Sequence, residues 1–257
     1  MIEHAPLDQR GAGRVISAQL WSLRSELETD GLTQVLDRLA AAGFEHVEPY
    51  GIGDPGLAHA LRSAGLDSPT AHGDLLGAAL GPTLAAAAEL GVGVVMHPGF
   101  LVESWRAPDG LAMIAEHLNR AAEAAAGYGM RVAFHNHGDE LSIRVGDRPA
   151  LLALMDLVDS RVGVEFDAHW AMTAGADGAE VIPALGDHVF ALHLKDGPLT
   201  GSHADQAALG DGSLDWEGML ALAPPAIPLV LAPDEIAHPF DAITRSKGWL
   251  DAHAALI

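Results

Sequence analysis

The chain has 257 residues and no cysteine; that length suits one large βα-barrel domain or two small ones, with a core big enough to need no disulfide or metal staple. Fourteen Lys+Arg against 35 Asp+Glu give a formal charge of −21, which repels phosphate backbones and anionic lipids and argues against nucleic acid or a membrane surface as partner. There is no thiolate chemistry, no 18-residue apolar run, and charge where a secretory leader would need an apolar core, so a cytoplasmic location is expected.

Residues 1–14 read as a loose lead-in. Strand-like and helix-like segments then alternate to the end. The first strand is expected over Val15–Trp21, followed by a helix over Leu32–Ala42 that stops at Gly43. The next strand covers His46–Pro49, with a short helix near Pro55–Ala64. Ser68–Gly73 is the third strand, and the alanine-rich Ala78–Leu90 is a helix stopped by Gly91. Val92–His97 precedes a helix over Leu111–Ala126 stopped by Gly127; glycine just past a helix end is the expected stop signal. Arg131–His137, Val162–Ala168, Val189–Lys195 and Leu229–Pro233 are the remaining strands. Their helices are Pro149–Val158, Gly178–Leu185, Trp216–Leu222 and Phe240–Ala254. Gly197–Asp215, rich in glycine and without apolar period, reads as a long loop after the seventh strand, where barrel loops are often functional. Eight strands each followed by a helix is the count of a single (β/α)8 TIM barrel spanning residues 1–257. No Gly-x-Gly-x-x-Gly follows the first strand, which lowers the rival open sheet in its dinucleotide-binding form.

Three predicted strands end in chemistry: Val132-Ala-Phe-His135-Asn136-His137-Gly-Asp139-Glu140, Val162-Gly-Val-Glu165-Phe-Asp167-Ala-His169-Trp170, and Val189-Phe-Ala-Leu-His193-Leu-Lys195-Asp196. In a βα barrel these ends gather on one rim, where active sites sit. Alternation puts His135 and His137 on one face, Glu165, Asp167 and His169 on one face, and His193 with Lys195 on one face. A carboxylate inside a barrel is costly unless paired or bound to a cation. Asp167, nearest the rim, is the best metal-ligand candidate, with a salt bridge to Lys195 as the plain alternative. Glu165, one layer deeper, reads as a structural pairing. His193 fits an imidazole ligand, and Lys195 either donates to a substrate oxygen or neutralises Asp167 or Glu165. Glu48, His72 and His97 also end predicted strands, and Trp170 offers an apolar wall. Histidine and carboxylate without thiolate suit one divalent ion among Mn, Mg, Co, Zn and Fe.

In the order and spacing of these motifs the chain resembles the xylose-isomerase-like TIM-barrel superfamily, in its sugar phosphate isomerase/epimerase branch. The likeness runs from about Ile16 to the C-terminus. It rests on Ala40-Ala-Ala-Gly-Phe-Glu-His-Val-Glu48, the His72 strand end, Phe134-His-Asn-His137 followed by Glu140, Asp167-Ala-His-Trp170, His193-Leu-Lys-Asp196 and Leu209-Gly-Asp-Gly-Ser-Leu-Asp-Trp216. The resemblance implies one divalent metal held by residues of strands five to eight. Carried over, these are Asp167 and His193, with His135 at the strand-five position, as in the His-Asn-His subgroup, and Glu140 as the nearby carboxylate. The strand-eight glutamate of relatives falls at Ala232, with Asp234 and Glu235 beyond it.

The expected function is a metal-dependent isomerase or epimerase of a sugar, keto-sugar or related polyol, by proton abstraction next to a carbonyl. His137 carries the proton, with His135 and Glu140 as alternatives, and Lys195 supports the oxyanion. Glu48, His72, His97 and Trp170 shape the substrate pocket. The rivals are a lyase or dehydratase on a keto-sugar or keto-inositol, a non-catalytic sugar-binding barrel, which Ala232 favours, and an abasic-site endonuclease, which the charge opposes. The expected partner is a small-molecule carbohydrate; the only protein partner the reading admits is a second copy, in a homo-oligomer.

Overall fold

The computed structural model describes residues 14–199 and 205–257. Most of the 1–14 lead-in and part of the Gly197–Asp215 loop lie outside the described residues. Arg14 is described: its guanidinium donates to the carbonyls of Leu220, Ala223 and Pro224.

Eight parallel strands form the sheet. They are β1 (Ile16–Gln19), β2 (His46–Glu48), β3 (Thr70–His72), β4 (Val94–His97), β5 (Arg131–His135), β6 (Val162–Asp167), β7 (Val189–Leu194) and β8 (Leu229–Leu231). Neighbours run in chain order from β3 through β8, then to β1 and β2. The remaining seam, β2 to β3, is closed by single bonds instead of a continuous ladder. Val47 donates to Asp67 O at 2.9 Å and His72 to Pro49 O at 2.8 Å. The single TIM barrel expected from the βα count is the observed fold. A two-stranded hairpin (Arg144–Val145 with Arg148–Pro149) is an excursion outside it.

Helices cover the sheet as the apolar periodicity predicts: Leu32–Ala41, Leu57–Ala64, Leu80–Leu90, Gly110–Ala126, Ala150–Met155, Gly178–Leu185, Trp216–Leu222 and Pro239–Ala252. Asp177 and Asp215 cap two of them, accepting backbone N–H bonds from Ala179 and Gly218, as short acidic side chains do at helix starts. Gly91 ends its helix in the left-handed region at φ +74°. Gly127 does not: its φ is −63°. The turn is made two residues later by Gly129, at φ +73°. Short helices at Arg24–Asp30, Val102–Arg106, Asp139–Ser142 and Ala168–Thr173 are too brief to leave a periodic signal in the sequence.

Strand alternation sorts the core into two clusters. Val47, Ala71, Val95, Val132, Phe134, Val164, Leu192 and Leu231 face the helices and join the large outer core. Val94, Met96, Ala133, Phe190 and Ala191 form a small cluster inside the barrel. Phe190 plugs the lower end, with the Arg131 guanidinium 4.0 Å from its ring centroid. Gly163 makes room for that ring, since a Cβ there would lie 2.3 Å from it. Above this plug the inward positions turn polar, and the site begins.

Overpacking a closed interior costs about 1–3 kcal/mol. Gly163→Ala is therefore expected to destabilise the barrel by about that amount in urea unfolding, whereas an alanine that merely replaced an open glycine would leave the midpoint unchanged or raise it.

Candidate metal centre

The inward residues at the C-terminal strand ends converge on one point. Nitrogens of His72, His135 and His193 and a carboxylate oxygen of Glu165 all lie within 4.8 Å of one another. Glu165 Oε2 is the hub: it stands 2.7 Å from His72 Nε2, 3.2 Å from His135 Nδ1 and 3.0 Å from His193 Nε2. Glu48 flanks the group from β2, with Oε1 3.2 Å from His72 Nε2 and 3.0 Å from His193 Nε2. Gln19 of β1 donates to that same oxygen at 2.6 Å, and its own Oε1 accepts the Trp21 N–H. The strands impose this convergence: β5 and β6 pair with His135 opposite Glu165, and β6 and β7 with Asp167 opposite His193.

Both carboxylates are fully buried. Burial alone would raise their pKa values, yet the surrounding imidazoles hold Glu165 down at about 2 and Glu48 well below the carboxylate range. The histidines answer in kind. Burial opposes a charged His72 or His193, but Glu165 and Glu48 outweigh it and raise them to about 9 and 10. His135 goes the other way, because burial and the neighbouring His193 charge push its pKa well below normal. Glu165 Oε1 and Glu48 Oε2 remain buried without a hydrogen-bond partner. Such oxygens are expensive to leave unpaired. Three imidazoles and a carboxylate with spare lone pairs are a donor set suited to one divalent ion. The contacts of 2.7–3.2 Å are a little shorter than the roughly 3.3 Å edge of a four-coordinate site with bonds near 2.0–2.1 Å. That contraction is expected where protons hold the donors together.

The structure gathers the sequence candidates unevenly. His72, His135 and His193 are in the cluster, and Glu165, which alternation in sequence placed a layer too deep, is in it too. Asp167 and Glu140 are not among its members. The Asp167 carboxylate turns to cap the helix Ala168–Thr173, accepting the Trp170 N–H at 2.9 Å, and meets Lys195 Nζ at 2.9 Å. Glu140 is buried on the short helix Asp139–Ser142, where its Oε2 accepts the His137 backbone N–H at 3.0 Å; burial lifts it to about 7. Lys195 is fully buried between Asp167 and Asp234, at 2.9 and 2.5 Å. Its ammonium is raised above its ordinary pKa by those two carboxylates, against burial. His97 lies on the helix-facing side of β4, because Met96 takes the inward place. Its ring packs 4.7 Å from Phe100, and burial lowers it to about 4.

Above the cluster opens a cavity of about 490 Å³, walled by His137, Trp170, Trp21, Tyr50, Gln206 and Asp234 among others. Trp21 and Tyr50 meet edge to face at 5.0 Å; His137 meets Trp170 at 5.2 Å and His135 at 4.9 Å. The sequence reading passed over Gln19, Gln206, Trp21 and Tyr50. Gln19 sits two residues after Ser17 on the inward face of β1, but its neutral side chain is not what a search for ionisable strand ends finds. Gln206 lies in the aperiodic loop and had no signal at all.

The family model for xylose isomerase-like TIM barrels matches residues 19–223. No curated protein matches the chain significantly. Among solved structures, a sugar phosphate isomerase/epimerase from Parabacteroides distasonis superposes with a TM-score of 0.75 at 22% identity, covering 96% of this chain and 98% of that one. A D-allulose 3-epimerase from Methylomonas sp. gives 0.70 at 14% identity, covering 93% and 98%. An IolI protein with a bound zinc atom gives 0.68 at 13%, covering 94% and 99%. At these identities the likeness is one of fold.

Two outcomes follow for metal binding. His72 and His193 hold their protons to about 9 and 10 and must lose them to ligate. At pH 7.5, calorimetry in buffers of different ionisation enthalpy should therefore register about two protons released per Zn²⁺ or Co²⁺, with affinity rising as pH rises towards 9. Glu165→Gln should weaken binding by more than the roughly 10–100-fold typical of losing an outer partner, and by more than Asp167→Asn does. Separately, Lys195→Met strands the buried Asp167 carboxylate and the partly exposed Asp234 and should cost about 3–5 kcal/mol of stability in denaturant titration.

Proposed function

Because the chain belongs to the xylose isomerase-like TIM-barrel family, we propose that it is a metal-dependent isomerase or epimerase of a sugar, keto-sugar or related polyol, within the family's His-Asn-His subgroup. The observation that carries this is the four-donor cluster of His72, His135, Glu165 and His193 at the floor of the cavity. When bound, a divalent ion there polarises a substrate carbonyl and its neighbouring hydroxyl and so acidifies the carbon-bound proton between them. Ala232, just past β8, does not leave the donor set one short, since His72 from β3 is the further donor. The polar wall with aromatic faces is what a polyhydroxylated ligand needs.

His137 is the group we assign to the proton. It lines the cavity with its side chain 42% exposed, and burial with the nearby Lys195 charge keeps its pKa below the ordinary imidazole value despite Asp167. A neutral imidazole at neutral pH can take a proton and return it. Glu140 positions it, through the bond to the His137 backbone N–H and an Oε1 contact to Nδ1 at 4.0 Å. Lys195 is off the cavity wall, so its part is indirect: it fixes Asp234, which is on the wall. Glu48 holds the cluster histidines, and Trp170, Trp21 and Tyr50 give the sugar ring apolar faces. The chain acts as one domain in the cytoplasm; no described helix is long and apolar enough to cross a membrane.

The test is hydrogen exchange. Protein loaded with Mn²⁺ or Co²⁺ and incubated in D₂O with a panel of keto-sugars should exchange one carbon-bound hydrogen of its substrate, read by NMR. His137→Asn should slow that exchange by about 10²-fold or more. No exchange on any member by the metal-loaded protein would refute the isomerase reading.

A further inference from the structure

Gln206 is 94% buried on the loop after β7, at 6% exposure, and forms part of the cavity wall. Its Oε1 accepts two backbone N–H groups just past β8, from Asp234 at 2.7 Å and Glu235 at 3.3 Å. Those bonds settle which way the amide faces: the oxygen is committed to the backbone, so the nitrogen must be the other arm. Nε2 is buried and has no hydrogen-bond partner. An amide NH₂ carries two donors, and leaving it unpaired in a buried place is costly. Protein cores rarely tolerate this, and its position on the cavity wall supplies the reason.

Beside it stands an acceptor held as firmly. The Asp234 carboxylate takes Ser22 Oγ–H at 3.0 Å on one oxygen and Lys195 Nζ at 2.5 Å on the other. Lys195 and the other groups around it hold its pKa below the ordinary carboxylate value against burial, so it accepts and does not donate. A donor and a fixed, charged acceptor carried by residues of the same cavity wall match a group that both accepts and donates and that carries no negative charge. A hydroxyl does so; a phosphate or carboxylate would meet the Asp234 charge.

We infer that Gln206 is a specificity-determining substrate residue, its Nε2 donating to one hydroxyl oxygen of an uncharged polyol whose own proton goes to Asp234. This rests on the carbohydrate reading above and narrows it to substrates with a free hydroxyl at that position. It also explains why a loop of no regular structure is pinned there: Asp196 accepts the N–H groups of Gly197, Gly210 and Leu214 at 2.9, 3.0 and 3.1 Å, and its backbone bridges to Ala207.

Gln206→Glu separates the two jobs of the amide, because a carboxylate oxygen still accepts both backbone N–H groups while the donor is gone. Mn²⁺-loaded full-length protein would be titrated calorimetrically with D-fructose, D-tagatose and D-allulose and with monodeoxy analogues of whichever binds. Gln206→Glu should bind the parent sugar at least about tenfold more weakly while staying folded at the titration temperature. One monodeoxy analogue should be weakened similarly against wild type yet bound alike by wild type and variant, the sign of a coupled pair. Gln206→Met, uncharged, should repeat the pattern, and it takes the place of the acidic variant if that one unfolds early. Equal parent affinity in wild type and variants overturns the inference, as does a loss equal for the parent and every deoxy analogue. Hydrogen exchange persisting in D₂O with unchanged Gln206→Glu binding overturns the inference alone. A wild type that binds no sugar of the panel overturns it together with the carbohydrate reading.

Discussion

Two fully buried carboxylates, Glu48 and Glu165, govern this molecule. Placed inside a barrel mouth they would cost several kcal/mol each if left ionised without partners. The fold brings three imidazoles to them, from β3, β5 and β7, and the carboxylates stay charged because His72 and His193 carry protons beside them. The arrangement is preset for a metal. Exchanging two protons for a divalent cation would keep the local charge.

A second charge group adjoins the first, with Asp167 Oδ2 3.8 Å from His193 Nδ1. Lys195 lies between Asp167 and Asp234, one cation for two acids. Asn136 ties the strand ends of β5 and β6 together, its Oδ1 accepting the Asp167 N–H at 3.0 Å and its Nδ2 donating to the Asp167 carbonyl at 3.3 Å. These contacts fix the backbone where β6 turns into a helix, and with it the register that aims Glu165 at the histidines. Lower in the barrel, Phe190 and Arg131 fill the interior, so the polar layer rests on a packed floor and opens towards the cavity.

The βα rhythm was legible because the later strands carry apolar runs and most helices carry a clear apolar stripe. Parity along the strands placed His135 and His193 without reference to structure. Where position at a strand end stood in for parity, the reading drifted. His97 ends its strand as His72 does, yet Met96 occupies the inward position of β4, so His97 faces the helices. Asp167 lies nearer the rim than Glu165, yet the cluster takes its carboxylate oxygen from Glu165. The first turn of the following helix and Lys195 both draw on its carboxylate, leaving Glu165 to face the imidazoles. The pairing with Lys195, 28 positions away, is the plain alternative that the sequence offered; the helix cap is not visible there, because it depends on a backbone N–H. The Gln206 contact was hidden for a related reason: a loop residue acquires meaning only from the strand end against which it is pinned.

Anomalous diffraction from crystals soaked in Mn²⁺ or Zn²⁺ tests the account most directly, because it locates the ion without reference to activity. The account predicts one strong peak bonded to His72, His135, Glu165 and His193, with Asp167 still bound to Lys195. A peak coordinated by Asp167 or Glu140 in place of Glu165, or no peak at the strand ends, would contradict it.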